Sequence, residues 1–355
     1  MNHRFLIIAD GAFGPETSKT ANSAIRYVPE RVVGVLDGHA TGRTCQDVLG
    51  FGGAIPVVKT IAEAFALAPT AVLIGIAPPG GQLPVEWRGW ILAAIDRGLP
   101  IWSGLHTLLA DDREFSAHAR ARGVEIHDLR RPPAALPVAT AKAKDADAFV
   151  VLTVGSDCNV GKMTAQLQIV KDLNARGLRT RFAATGQTGI LIEGWGIAVD
   201  AVVADFIGGA AEQLVLEGAK DADVVLVEGQ GSLIHPGYSG VTLGLLHGSC
   251  PSAMILCHQS SRVFVGDYGG RDAWLKIPPL KELVRIYERA AAPVHPSKVI
   301  GVALNTYDLG ESQAKAAITA ARKSTEQPAT DPVRFDTAPL VDAVVKAHAK
   351  WKVAR

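Results

Sequence analysis

Cysteine is scarce in this 355-residue chain. Cys45, Cys158, Cys250 and Cys257 are too few and too scattered for a disulfide framework. Cys250, Cys257 and the adjacent His258 leave too few ligands for a zinc site, and no metal centre is expected. No window approaches the roughly 18 uninterrupted apolar residues of a membrane span. The first apolar run, Phe5-Leu6-Ile7-Ile8-Ala9, is too short for a signal peptide and reads as a strand. Charge of one sign is missing as well: 36 Lys and Arg face 35 Asp and Glu, a net of +1 with no long basic run. Nucleic-acid binding therefore has no electrostatic footing. No internal repeat is found. These absences leave a cytoplasmic protein whose partners are small molecules, with no nucleic acid and no membrane among them. Glycine, by contrast, is abundant at 36 residues, as tight strand-to-helix turns require. The length suits two domains of about 100–200 residues each.

Residues 1–140 alternate apolar strands with helical stretches, which predicts a Rossmann-like parallel sheet in an α/β fold. Strands are expected at 5–9, 31–36, 57–58, 71–76, 100–103 and 123–127, and helices at 16–26, 61–67 and 87–97. Loops at 11–14, 38–43, 77–81 and 103–106 would line the crevice at the strand ends. Gly11-Ala12-Phe13-Gly14 lacks the third glycine and the helix of a dinucleotide fingerprint. Arg43 either holds a phosphate or carboxylate or belongs to a solvated turn, and His39 and His106 read as exposed loop residues. The Ala-, Lys- and Asp-rich stretch 136–147 reads as a linker to a second domain over 147–355.

That second domain opens on Val150-Val151-Leu152-Thr153-Val154, a buried strand, then Gly155-Ser156-Asp157-Cys158-Asn159-Val160-Gly161-Lys162-Met163-Thr164. Leu167, Val170 and Leu173 follow at helical spacing. Strand, glycine loop, Gly-Lys and helix make a phosphate cradle, with backbone N–H groups aimed at an anion and the lysine closing over it. The match to G-x-x-x-x-G-K-[ST] is imperfect: Ser156 takes the first glycine position, and Met163 stands where a Mg²⁺-holding hydroxyl would be. Met163 argues against ATP hydrolysis.

Further on, the strand at 181–185 ends in a turn at 186–189, and the apolar 199–206 leads to a helix opening at Gly208. Asp205 and Glu212 there are either a general base or a helix-cap and first-turn pair. The strand 224–227 delivers one carboxylate, Glu228, to the loop Gly229-Gln230-Gly231-Ser232. An acid there holds Mg²⁺ or positions a nucleophile in P-loop proteins. His235 and Tyr238 extend that loop, and a strand at 254–258 ends in His258, with Arg262 and Arg271 after it. A last core strand at 299–305 ends in Asn305, and helices at 311–323 and 338–351 close the chain.

The loop at 155–162 resembles that of dethiobiotin synthetase-like proteins, with five residues between the glycines. Taken with 204–212, 227–233 and 256–258, the whole chain resembles a two-domain family long catalogued as of unknown function. That family pairs a Rossmann-like N-terminal domain with a P-loop C-terminal domain, and some members are D-glutamate (D-amino-acid) N-acetyltransferases. The resemblance implies an N-acetyltransferase, with acetyl-CoA held through its phosphates by residues 155–164. The base candidates are Glu228, Asp205 and His258, and the Tyr238 hydroxyl or backbone N–H groups would face the oxyanion. A dicarboxylate substrate would meet Arg262 and Arg271, with His235 nearby. The alternative is an ATP-dependent ligase or kinase, with Lys162 on the phosphates, Glu228 on Mg²⁺ and Asn305 reading the base. A homo-oligomer is expected, since Gly-rich, apolar α/β surfaces often pair.

Overall fold

A computed structural model describes residues 3–15, 17–76, 83–266 and 275–355. The chain divides into two compact units, residues 1–132 with 187–201, and residues 133–186 with 202–355. Both are parallel α/β units, as the alternation of apolar runs with helical spacing predicts.

In the first unit the strands are β1 (Phe5–Ile8), β2 (Val32–Leu36), β3 (Val57–Val58), β4 (Ala71–Ile74), β5 (Ile101–Ser103) and β6 (Ile126–Asp128). Their order is β3-β2-β1-β4-β5-β6, all parallel, the Rossmann order. β1 and β4 are buried along their whole length, and their continuous apolar sequences reflect helices covering both faces. The helices are α1 (Lys19–Tyr27), α2 (Cys45–Leu49), α3 (Ile61–Ala66), α4 (Trp87–Asp96) and α5 (Arg113–Arg122). α1 starts three residues later than the sequence suggests. α5 was not foreseen, although its signals are present: the Asp112 carboxylate accepts the N–H groups of Glu114 and Phe115, and Gly123 ends the helix at φ +65°. Arg43 donates to the carbonyl of Asp47 in the adjacent α2. His39 and His106 are exposed, as expected. The expected crevice loop at 77–81 lies outside the described residues.

In the second unit β7 (Phe149–Gly155) leads through the glycine loop into α6 (Lys162–Ala175), and then to β8 (Thr180–Ala183). The chain next returns to the first unit as α7 (Gln187–Glu193), where a turn was expected. Ile190, Leu191 and Ile192 there pack on the first unit's core. Back in the second unit come α8 (Ala204–Gly218), β9 (Val224–Val227), α9 (Ser239–Ser249), β10 (Ala253–Gln259), β11 (Phe264–Val265) and β12 (Leu275–Lys276). α10 (Leu280–Ala291), β13 (Lys298–Asn305), α11 (Glu311–Thr325), β14 (Ala329–Thr330) and α12 (Ala338–Ala354) complete it. The strand order is β14-β13-β10-β7-β9-β8, with β11 and β12 as a separate antiparallel pair.

The stretch 136–147 is no free linker. The carboxylate of Glu212, buried on α8, accepts the backbone N–H groups of Thr140 and Lys142 and the Thr140 hydroxyl. A buried carboxylate satisfied by backbone donors is a structural anchor, and Glu212 lies well inside α8, not in its first turn, so it is no first-turn partner of Asp205. Asp205, its proposed companion, is exposed in the first turn of α8, where its charge complements the helix N-terminus. No helix among the described residues is long and apolar enough to cross a membrane.

Candidate functional site

β7 lies at the centre of its sheet with β9 on one side and β10 on the other. The loop leaving β7 therefore opens between the C-terminal ends of three adjacent strands, where open parallel sheets bind ligands. Asn159 at φ +53° and Gly161 at φ +95° turn the chain into α6. The N-cap of α6 is Gly161, which has no side chain to cap it, so among the described residues its first-turn N–H groups are left to an anion. Met163 is buried, and Thr164 one place later is half-buried.

Lys162 is buried, and its Nζ donates to the carbonyls of Asp157 (2.7 Å) and Gly231 (2.9 Å). The lysine thereby joins the first glycine loop to the second. The two loops also meet through backbone: a Cβ added to Gly229 would fall 1.7 Å from the Thr153 carbonyl oxygen. The Thr153 hydroxyl accepts the Gly229 N–H at 3.0 Å and donates to Gln166, whose amide donates to the Val227 carbonyl at 2.6 Å.

Asp157 is fully buried. Its carboxylate accepts the N–H groups of Cys158 and Gly266 and pairs with the Arg262 guanidinium at 3.0 Å. Arg262 also donates to the Cys158 carbonyl and to Gln259. Expected as a substrate contact, Arg262 is in the structure the internal cation that shapes the loop. Asp157, Cys158 and His235 bring potential ligand atoms within 4.8 Å of one another. The guanidinium on Asp157 already supplies the positive charge there, so this group does not fit a metal ion.

Glu228 is buried at the end of β9, and its carboxylate accepts the N–H groups of Thr185 (2.9 Å) and Gly186 (3.1 Å). It fastens the end of β8. His235 is also buried; its Nδ1 accepts the Gly237 N–H at 3.0 Å, its ring lies 4.4 Å from that of Tyr238, and burial lowers its pKa. Tyr238 itself is 51% exposed. His258, half-buried at the end of β10, places Nδ1 2.8 Å from the Ser156 hydroxyl. Burial, helped by Arg262, pushes this imidazole down to about 4, so it is neutral at physiological pH. Asn305 ends β13 with its side chain about 4 Å from where a Cβ on Gly161 would lie. Arg271 lies outside the described residues. Ser156, Lys162, Glu228, His235, His258 and Asn305 thus gather around one strand-end crevice, while Asp205 stands at a helix start.

One residue of this crevice was not foreseen. Tyr287 of α10 is fully buried; its hydroxyl donates to the Gly155 carbonyl at 2.7 Å and accepts the Leu233 N–H at 3.2 Å. Its signal was the spacing of Leu283, Tyr287 and Ala291 on one helical face.

Comparison with known proteins agrees with this architecture. Residues 137–341 match the description "Domain of unknown function (DUF1611_C) P-loop domain", and residues 39–132 match "Domain of unknown function (DUF1611_N) Rossmann-like domain". A D-glutamate N-acetyltransferase from Tritonibacter scottomollicae is 38% identical over 317 residues, covering 88% of this chain and 92% of that protein. A second protein of that name, from a Pseudoalteromonas species, is 36% identical over 276 residues, covering 78% of this chain and 81% of its own. The crystal structure of a DUF1611 family protein from Anabaena variabilis has a TM-score of 0.92 at 38% identity, covering 97% of this chain and all of that one. The chain therefore belongs to the DUF1611 family, with a Rossmann-like N-terminal domain and a P-loop C-terminal domain.

Proposed function

We propose that this chain is an N-acetyltransferase that moves the acetyl group of acetyl-CoA to the amino group of a D-amino acid such as D-glutamate. The observation that carries this reading is the likeness, over most of both chains, to two relatives named for that activity. The loop chemistry supports it. CoA carries phosphates that an uncapped helix N-terminus and Lys162 suit, and a buried Met163 in place of a hydroxyl is no handicap when no Mg²⁺ has to be held.

Acyl transfer needs a proton acceptor for the amine and a donor for the oxyanion of the tetrahedral intermediate. Glu228, Asp205 and His258 are the proposed acceptors, and the half-exposed Tyr238 hydroxyl is a donor. With Arg262 committed to Asp157, Arg271 is the proposed partner for a second substrate carboxylate. Thiol release from acetyl-CoA with a panel of D- and L-amino acids, run beside ADP release from Mg-ATP, tests the reading. Amine-dependent thiol release with silent ATP is expected. ADP release with silent acetyl-CoA would instead favour an ATP-dependent enzyme, in which Asn305 beside Gly161 would read the base. Should Glu228→Gln and Asp205→Asn both keep full turnover, neither of these carboxylates is the base.

A further inference from the structure

Ser156 occupies the first position of the anion loop and is wholly buried, with its backbone N–H on the Cys257 carbonyl at 3.0 Å. Among the described residues its hydroxyl has one partner, His258 Nδ1 at 2.8 Å. Lys162 Nζ lies 3.0 Å from where a Cβ on Gly155, the residue before this serine, would be, so the loop lysine and the serine leave neighbouring positions of the same loop. A hydroxyl that donates to Nδ1 leaves the proton of the neutral imidazole on Nε2, and Nε2 then has no lone pair to offer.

We propose that Ser156 and His258 form a proton relay switched on by an oxyanion in the loop, a phosphate of CoA or the carboxylate of the amino acid. The anion takes the Ser156 O–H as a donor. His258 then holds its proton on Nδ1 and donates to Ser156 Oγ, which frees the Nε2 lone pair. His258 is the catalytic residue, and Ser156 positions it. The inference rests on the acetyltransferase reading and selects one of its three acceptor candidates. The neutral amine nitrogen attacks the acetyl carbon, forming the C–N bond while Nε2 takes a proton from that nitrogen. The C–S bond breaks with its electron pair on sulfur, and the imidazolium returns the proton to the thiolate. Amide and thiol result, with no proton unaccounted for.

The charges around His258 are consistent with such a switch. Arg262 in the turn after β10 is the cation that depresses it, and Asp157 of the loop is paired with that arginine. Lys162 from α6 is turned onto the Asp157 and Gly231 carbonyls. On β13 the neighbour in register is the apolar Leu304, and Asp308 beyond it is engaged by Gln259 and Ser261. An added anion is thus the change that favours the protonated ring.

The test is ¹⁵N NMR of the full chain labelled at histidine, with His258→Gln assigning the resonance, titrated free, with CoA and with D-glutamate. Calorimetry on the same samples reports binding. The ligand seated in the loop is expected to raise the His258 midpoint by about 1–3 pH units, and the two arms tell which oxyanion it is. In Ser156→Ala the ligand still binds but the rise falls by at least half, kcat drops with KM little changed, and Ser156→Thr, which keeps the hydroxyl, restores part of both. His258→Gln is expected to lose about 10²–10⁴-fold in kcat. Binding of neither ligand, binding without a shift in the wild type, or an undiminished shift in Ser156→Ala overturns the relay. Vigorous acetyl transfer with a silent His258 sinks the relay alone. A shift on CoA binding with no acetyl transfer to any amine sinks the transferase reading, and with it the transfer step assigned to His258.

Discussion

The Tyr287 hydroxyl bridges the Gly155 carbonyl and the Leu233 N–H, so one phenol on α10 joins the end of β7 to the second glycine loop. Both backbone groups belong to the glycine loops, and a buried hydroxyl cannot be replaced there by water at no cost. Tyr287→Phe is expected to destabilise the chain by about 1–2 kcal/mol and to weaken anion binding, measured by urea unfolding and calorimetry.

A second substitution concerns the approach of the two loops. Gly229→Ala would drive a methyl into the Thr153 carbonyl. Backbone cannot yield as a flexible side chain does, so a loss of at least about 2 kcal/mol is expected. An alanine variant with an unchanged urea midpoint would contradict this.

Thiol chemistry offers a probe of the loop. Burial holds Cys45 and Cys257 up at about 12 and raises Cys250, whereas Cys158 is only half-buried. At pH 8 a thiol reagent is expected to label one cysteine quickly in the folded chain and all four after unfolding. Mass mapping should place the fast site at Cys158, and a ligand in the loop should slow it.

Stability should also depend on pH through His258. Its folded pKa of about 4 lies below the ordinary histidine value of 6.5, so between these values the unfolded chain binds more protons. Unfolding free energy then rises with pH across that window, and the contribution is lost as pH falls from about 6.5 to about 4, amounting to roughly 2–3 kcal/mol. Urea midpoints at pH 7 and pH 5 measure the slope. His258→Gln should reduce it, leaving the smaller share of other histidines with lowered values, such as His235.

The sheets were legible because buried parallel strands announce themselves as apolar runs, as at Phe5–Ile8 and Phe149–Gly155. The glycine loop was legible because its spacing encodes a turn into a helix. The functions of single side chains were less so. The partner of Asp157 is Arg262, and the partners of Glu212 are Thr140 and Lys142, pairs remote in sequence that no local period connects. Arg262 therefore read as a substrate contact and Glu212 as a possible base. The excursion at 187–201 was hidden for the same reason: a short apolar helix carries no mark of which core it will cover.

That excursion bears on the order in which the protein can be built. The ribosome delivers β7, α6 and β8 of the second unit before it delivers α7, and with it Leu191, to the first. The earlier sheet must wait with part of its apolar surface uncovered until residue 201 has emerged, by which time the phosphate loop already exists. A message cut after residue 132 would encode every strand of the first sheet and still lack part of the covering for its core.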